Sequence, residues 1–270
     1  MQAILYIGHG SRVQAGNDEL RNFVEKTKAA HPQVAIQECC FLELADPDIT
    51  EGVRTCIKQG ATRIAVVPVL LLTAMHAKVD IPQEIERQRA QYPDVSFTYG
   101  RPMGIEATII EIIKARLKKA GMSLTAARPR YEERQPVSLL LVGRGSSDPE
   151  ATSDLMKIAR LVWEFTPVTD VEVCFMAATH PNVEEGLARV TRLPNETVYV
   201  IPYLLFTGVL METLEKQLAQ WSKRTEKSFI LCDYLGFDDR LVDVLAERVQ
   251  EALEAEPFPA ENLNRQWLQQ

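Results

Sequence analysis

Ile4-Leu5-Tyr6-Ile7-Gly8-His9-Gly10-Ser11 returns later in the chain as Leu139-Leu140-Leu141-Val142-Gly143-Arg144-Gly145-Ser146, and this recurrence decides how the sequence is read. Outward from it, at the same shift of 134 to 135 residues, Phe41-Leu42-Glu43-Leu44-Ala45-Asp46-Pro47 falls on Phe175-Met176-Ala177-Ala178-Thr179-His180-Pro181, and Ile64 to Thr73 falls on Val198 to Thr207. A period of half the chain is too long for a solenoid, whose repeats run to about 20–45 residues, so two similar domains are expected. Each half alternates short β-branched runs with stretches of helical periodicity. That alternation predicts an α/β fold of two similar doubly wound domains, each with a mainly parallel four-stranded sheet flanked by helices.

The expected strands are 3–7, 34–41, 64–72 and 95–99, then 138–142, 171–176, 197–206 and 228–232. Helices are expected near 16–30, 47–60, 82–91 and 104–120, with counterparts near 148–165, 181–192, 210–222 and 238–253. Pro68 and Pro202 fall inside strands, which predicts an edge position or a bulge. Charged, Pro-punctuated residues 121–136 are expected to link domains at 1–120 and 137–255, and residues 256–270 to form a polar tail.

A length of 270 residues with 46% apolar and 25% charged side chains is that of a globular chain, which excludes disorder, collagen and coiled coil. The longest uncharged apolar run, Ile64 to Met75, falls short of the ~20 residues that span a bilayer. Met1-Gln2 leads directly into apolar Ala3 to Ile7 without a basic region or small-residue cleavage site, so a cytoplasmic chain is expected. Thirty Lys and Arg against 37 Asp and Glu give a net charge of −7, a field that repels nucleic acid and anionic lipid. An anionic ligand must therefore be held by local basic groups. Five cysteines with no CxxC pair fit neither a disulfide framework nor a zinc knuckle, and reduced core thiols are expected.

In open parallel sheets the ligand crevice lies at the carboxyl ends of the strands. Three groups that can bind a metal follow strands there: His9 between two glycines, Glu43, and His76 within Thr73-Ala74-Met75-His76-Ala77-Lys78. Two imidazoles and a carboxylate hold a divalent transition metal while leaving coordination positions open. Glu43 taken alone also reads as a solvated loop carboxylate. His31 reads as structural, His180 as a helix-start residue before Pro181 at the first helical position, and Asp80, with Pro82 and Gln83 following, as a helix cap. The second half carries Arg144, Ala177 and Leu210 where the first has His9, Glu43 and His76, so all metal chemistry is expected in the first.

Gly8-His9-Gly10-Ser11-Arg12, Phe41-Leu42-Glu43 and Met75-His76-Ala77-Lys78-Val79-Asp80-Ile81-Pro82 resemble the class II chelatases, in the branch that acts on sirohydrochlorin with iron or cobalt. The resemblance is strong over residues 1 to about 120 and extends weakly to the second half through the repeat. It implies two half-molecules around a cleft in which a divalent metal enters a tetrapyrrole without ATP and without a prosthetic group; the long form with fused halves resembles the iron-inserting branch that makes siroheme, so Fe2+ is the expected metal substrate and Co2+ the alternative. It also implies His9 and His76 as metal ligands or proton acceptors, assisted by Glu43. Metal insertion displaces two inner N–H protons, and a neutral imidazole, with an ordinary pKa of ~6.5, can bind the ion or take up a proton. The carboxylates of sirohydrochlorin would suit Arg12, Lys78 or Arg144 at the rim. Because the halves are fused, a monomer is expected. A histidine phosphatase would need Arg before its His, where this chain has Gly8. A non-catalytic cytosolic carrier of metal or tetrapyrrole remains open, as does the choice between iron and cobalt.

Overall fold

Eight parallel strands make two four-stranded sheets in the computed structural model, which describes residues 1–124 and 128–257. In chain order they are β1 (Gln2–Gly8), β2 (Ile36–Phe41), β3 (Arg63–Pro68), β4 (Ser96–Tyr99), β5 (Gln135–Gly143), β6 (Val168–Phe175), β7 (Thr197–Tyr203) and β8 (Ser228–Leu231). The helices are α1 (Gln14–Lys28), α2 (Ile49–Lys58), α3 (Ile81–Gln91), α4 (Ala107–Lys119), α5 (Pro149–Phe165), α6 (Val183–Arg192), α7 (Val209–Trp221) and α8 (Arg240–Glu254). Strand orders are β2-β1-β3-β4 and β6-β5-β7-β8, so each sheet repeats the other. Interior strands such as β1 and β3 are covered on both faces, which is why they read as unbroken apolar runs rather than as alternation.

Pro68 and Pro202 sit in interior strands without a bulge, contrary to expectation. Val69 donates its N–H to Ile7 O on the β1 side at 2.8 Å, so the N–H that Pro68 lacks would point toward β4. β4 has already ended at Tyr99, and its ladder closes with Gly100 N–H on Val66 O at 2.8 Å. No ladder bond is lost. Pro202 repeats the arrangement beyond the end of β8 at Leu231.

The packing units differ from the expected division at 120 and 137. One unit comprises Met1–Gly104 with the chain from Asp239 onward; the other is Ile105–Asp238. Each takes the final helix of the other repeat. In the first unit α8 covers α1, β3 and β4, burying Leu241, Val244, Leu245, Val249 and Ala252. Polar bonds fix it there: Thr98 Oγ1 donates to Ala252 O at 2.6 Å and Arg63 to Ala255 O at 2.7 Å, while fully buried Arg248 donates to Met103 O. In the second unit α4 lies against α5 and β7, and Arg116 donates to the carbonyls of Tyr234 and Leu235 and to Asp238. An amphipathic stripe predicts that a helix is covered, but not which sheet covers it.

The expected linker is partly ordered: Tyr131–Glu133 form a 3-10 turn and β5 already begins at Gln135, while residues 125–127 lie outside the described residues. Most of the expected tail, 258–270, does as well. Helices α2 and α6 start two residues later than expected and are capped by Asp48 and Asn182, whose side chains accept from the N–H groups of Glu51 and Glu185. All five cysteines are free and four are buried, as expected of core thiols. Among the described residues no helix is long and apolar enough to cross a membrane.

Candidate metal centre

The parallel ladder of β1 and β2 continues past the strands. Leu42 N–H bonds Gly8 O at 2.8 Å and Glu43 N–H bonds His9 O at 3.0 Å, which sets His9 and Glu43 side by side. Gly10 makes this approach possible. Its φ is +91°, and a Cβ there would lie 1.8 Å from Glu43 O. The turn is clamped by buried Asn17, which accepts from Ser11 N–H and donates to Ser11 O, both at 2.8 Å.

His76 arrives from the third strand end on a π-turn, His76–Asp80, closed by Ile81 N–H on His76 O and running straight into α3. Tyr99 donates its hydroxyl to Ala77 O at 2.8 Å and so ties the turn to the end of β4. Asp80 is helical, with φ −67° and ψ −50°, and caps nothing. This corrects the expectation, because a cap needs extended backbone. Its carboxylate instead accepts from His76 Nδ1 at 2.7 Å.

These elements bring the three expected donors together. The rings of His9 and His76 meet edge to face with centroids 4.8 Å apart, and His9 Nε2 is 3.4 Å from Glu43 Oε1. One donor atom from each of His9, Glu43 and His76 lies within 4.8 Å of the others, the one such grouping among the described residues. Donors ~2.1 Å from a shared ion stand about 3–4 Å apart, so small side-chain movements would close this set around a metal. The His9 side chain is 13% exposed, that of His76 28% and that of Glu43 49%. The imidazoles therefore sit inside and the carboxylate faces water. Leu42 and Asp80, the neighbour of Glu43 and the partner of His76, line a cavity of about 310 Å³ together with Glu84 and Arg87; the three donors themselves are not in its wall. Burial pushes the Glu84 carboxyl upward, but hydrogen bonds from Gln88, Arg87 and Thr50 outweigh it and hold the group below the usual carboxylate range.

Of the basic residues expected at the rim, Arg12 is exposed after β1, Lys78 is half-buried in the π-turn, and Arg144 is exposed at the end of β5. The second unit keeps the scaffold and drops the donors. Ala177 N–H bonds Arg144 O at 3.0 Å, Gly145 has φ +92°, and a Cβ there would meet Ala177 O at 1.8 Å. Arg144, Ala177 and Leu210 occupy the donor positions. The other histidines lie outside the cluster: buried His31 bonds Ala246 O through Nε2, and exposed His180 pairs with Glu185 rather than starting α6. Asp80 and Asn17 were not legible as part of this site. The four-residue spacing from His76 to Asp80 on a helix was a usable signal for Asp80; Asn17 offered none.

The family model CbiX matches residues 3–120 and 138–252, the two repeats. The sirohydrochlorin ferrochelatase of Priestia megaterium is 44% identical over 94% of this chain and 91% of its own length, and that of Bacillus subtilis (strain 168) is 43% identical over 93% and 91%. A sirohydrochlorin cobaltochelatase of Priestia megaterium is 40% identical over 95% of this chain and 81% of its own. The solved structure of SirB from Bacillus subtilis with Fe3+ matches with a TM-score of 0.80 at 41% identity, covering 93% of this chain and 95% of that one. Both repeats fit one family model and the likeness to these relatives runs nearly the full length, so the chain belongs to the CbiX family.

Proposed function

We propose that this chain inserts ferrous iron into sirohydrochlorin, without ATP, to give siroheme. The observation that carries the reading is the cluster of His9, Glu43 and His76 at one end of a parallel sheet, its donor atoms within 4.8 Å of one another. Three protein donors hold a partly dehydrated ion and leave positions open to pyrrole nitrogens; a closed four-ligand cage would keep the metal. As the ion enters the macrocycle, two protons leave the inner nitrogens. Glu43, half-exposed and 3.4 Å from His9 Nε2, passes them on to water. Arg12, Lys78 and Arg144 meet the carboxylates of the tetrapyrrole. The second repeat binds no metal by this scheme, since its donor positions hold Arg144, Ala177 and Leu210. The chain acts in the cytoplasm as a monomer, with no nucleic-acid or membrane partner.

Iron is placed first because relatives at 44% and 43% identity are ferrochelatases. Cobalt is the second reading, supported by a cobaltochelatase at 40% identity and by a ligand set that accepts both ions. The test is an anaerobic absorbance assay of the purified protein with sirohydrochlorin and each metal. Metal-dependent insertion faster than the uncatalysed reaction is expected. Binding without acceleration would overturn the enzyme in favour of a carrier, and faster turnover with cobalt would overturn the choice of iron.

A further inference from the structure

We infer that Asp80 is a positioning residue for metal capture: its carboxylate accepts a hydrogen bond from His76 Nδ1–H, keeps the proton on that nitrogen and thereby leaves Nε2 as the nitrogen with a lone pair to offer. The inference rests on the reading of His76 as a metal ligand and adds what prepares it for that role. A neutral imidazole has one donor and one acceptor nitrogen, and the bond made by one nitrogen decides which of the two can bind a metal. At 2.7 Å from His76 Nδ1, the Asp80 carboxylate can only accept, so the proton is held on Nδ1 and the ring is fixed about its Cβ–Cγ bond.

Three further observations point the same way. The π-turn supplies the geometry: Ile81 N–H bonds His76 O, the helix continues unbroken into α3, and Asp80 is left with no capping duty. His9 is held by the same device, its Nδ1 lying 3.1 Å from Gly10 O while its Nε2 faces Glu43 at 3.4 Å. Both imidazoles are thus bound through Nδ1. The second repeat loses the pair as a unit, with Leu210 in place of His76 and fully buried Leu214 in place of Asp80. An aspartate serving helix α3 alone would have no reason to disappear together with the histidine.

The experiment has two arms. First, imidazole 15N–1H correlation spectra of the metal-free wild-type protein should show His76 as the Nδ1–H tautomer; an Nε2–H tautomer overturns the inference without any variant. Second, Co2+ is titrated by visible absorption into wild type, His76→Ala, Asp80→Ala and Asp80→Asn in the absence of tetrapyrrole, and KM for each substrate is then measured. Asp80→Ala should weaken Co2+ binding on the order of 10–100-fold and raise KM for the metal, with KM for sirohydrochlorin unchanged within about twofold. Asp80→Asn, whose amide oxygen still accepts from Nδ1–H, should recover most of the affinity. Wild-type affinity in Asp80→Ala, an equal rise in both KM values, or an Asp80→Asn variant as weak as Asp80→Ala would each overturn the proposal. If wild-type protein shows no Co2+ binding that depends on His76, the metal centre itself is refuted, a result distinct from the failure of Asp80.

Discussion

Gly10→Ala adds a single methyl group at the point where the loops after β1 and β2 touch. Two costs follow from the geometry. Holding alanine at φ +91° costs about 1–2 kcal/mol. The new Cβ would also stand 1.8 Å from Glu43 O, a backbone atom, so the two loops must part by about 1 Å or more. The total loss of stability should be about 2–4 kcal/mol, a fall in Tm of roughly 5–15 °C. Parting these loops breaks the bond from Glu43 N–H to His9 O and separates two of the three donors. A misplacement of that size should cost on the order of 10²-fold in metal affinity and in insertion rate. The repeat supplies a matched control. Gly145→Ala meets Ala177 O at the same 1.8 Å and at φ +92°, where no donor side chain is at stake. Thermal unfolding and Co2+ titration of the two variants, side by side, should give similar losses of Tm and a loss of metal binding in Gly10→Ala alone. Wild-type Co2+ affinity in a destabilised Gly10→Ala protein would refute the claim that this loop contact builds the metal centre. Equal loss of affinity in Gly145→Ala would show the effect to be global instead.

His9→Ala and His76→Ala should each lower the insertion rate at least ~10²-fold, with His180→Ala near wild type and Arg144→Ala weakening tetrapyrrole binding without changing metal affinity; insertion kinetics on the four folded variants check this. Burial pushes the thiols of Cys39 up to about 11 and of Cys56, Cys174 and Cys232 up to about 12, so below those values they stay protonated and unreactive. A chromogenic disulfide reagent at pH 8 should label the native protein slowly and all five thiols in denaturant, and rapid labelling of the native protein would contradict this burial. A fragment of residues 1–120 lacks α8, which covers α1, β3 and β4, so it should expose that apolar face and fail to give a stable monomer. Sedimentation and dye binding read this out; a compact, dye-silent monomer would show that α8 is dispensable.

The legible parts of this protein are those written in local pattern. Strand periodicity found every strand of both sheets. The recurrence of Gly8-His9-Gly10-Ser11 as Gly143-Arg144-Gly145-Ser146 showed that the two halves share a plan, and it exposed where the second half has lost its donors. His9, Glu43 and His76 could be picked out because each directly follows a strand, and in a parallel sheet all such ends lie on one side. Elsewhere a partner or a role was not legible, because the partner is distant or the local geometry is unusual. His31 is structural, as expected, but its partner is Ala246 on a helix from the other repeat. Asp80 resembled a cap because Pro82 and Gln83 follow it, and only the π-turn turns it toward His76.

The sequence by itself thus determined the α/β class, the duplication, the parallel order of elements and the identity of the three candidate donors, because periodicity and strand-end position are properties of neighbouring residues. Tertiary structure alone decided that α4 and α8 each join the unit of the other repeat, that Pro68 costs no ladder bond, and that three side chains far apart in the chain meet within 4.8 Å. The physical reason is common to all three. An apolar stripe, a missing N–H or an imidazole has the same local signature whatever it faces, and the partner it meets is set by packing between segments tens to hundreds of residues apart.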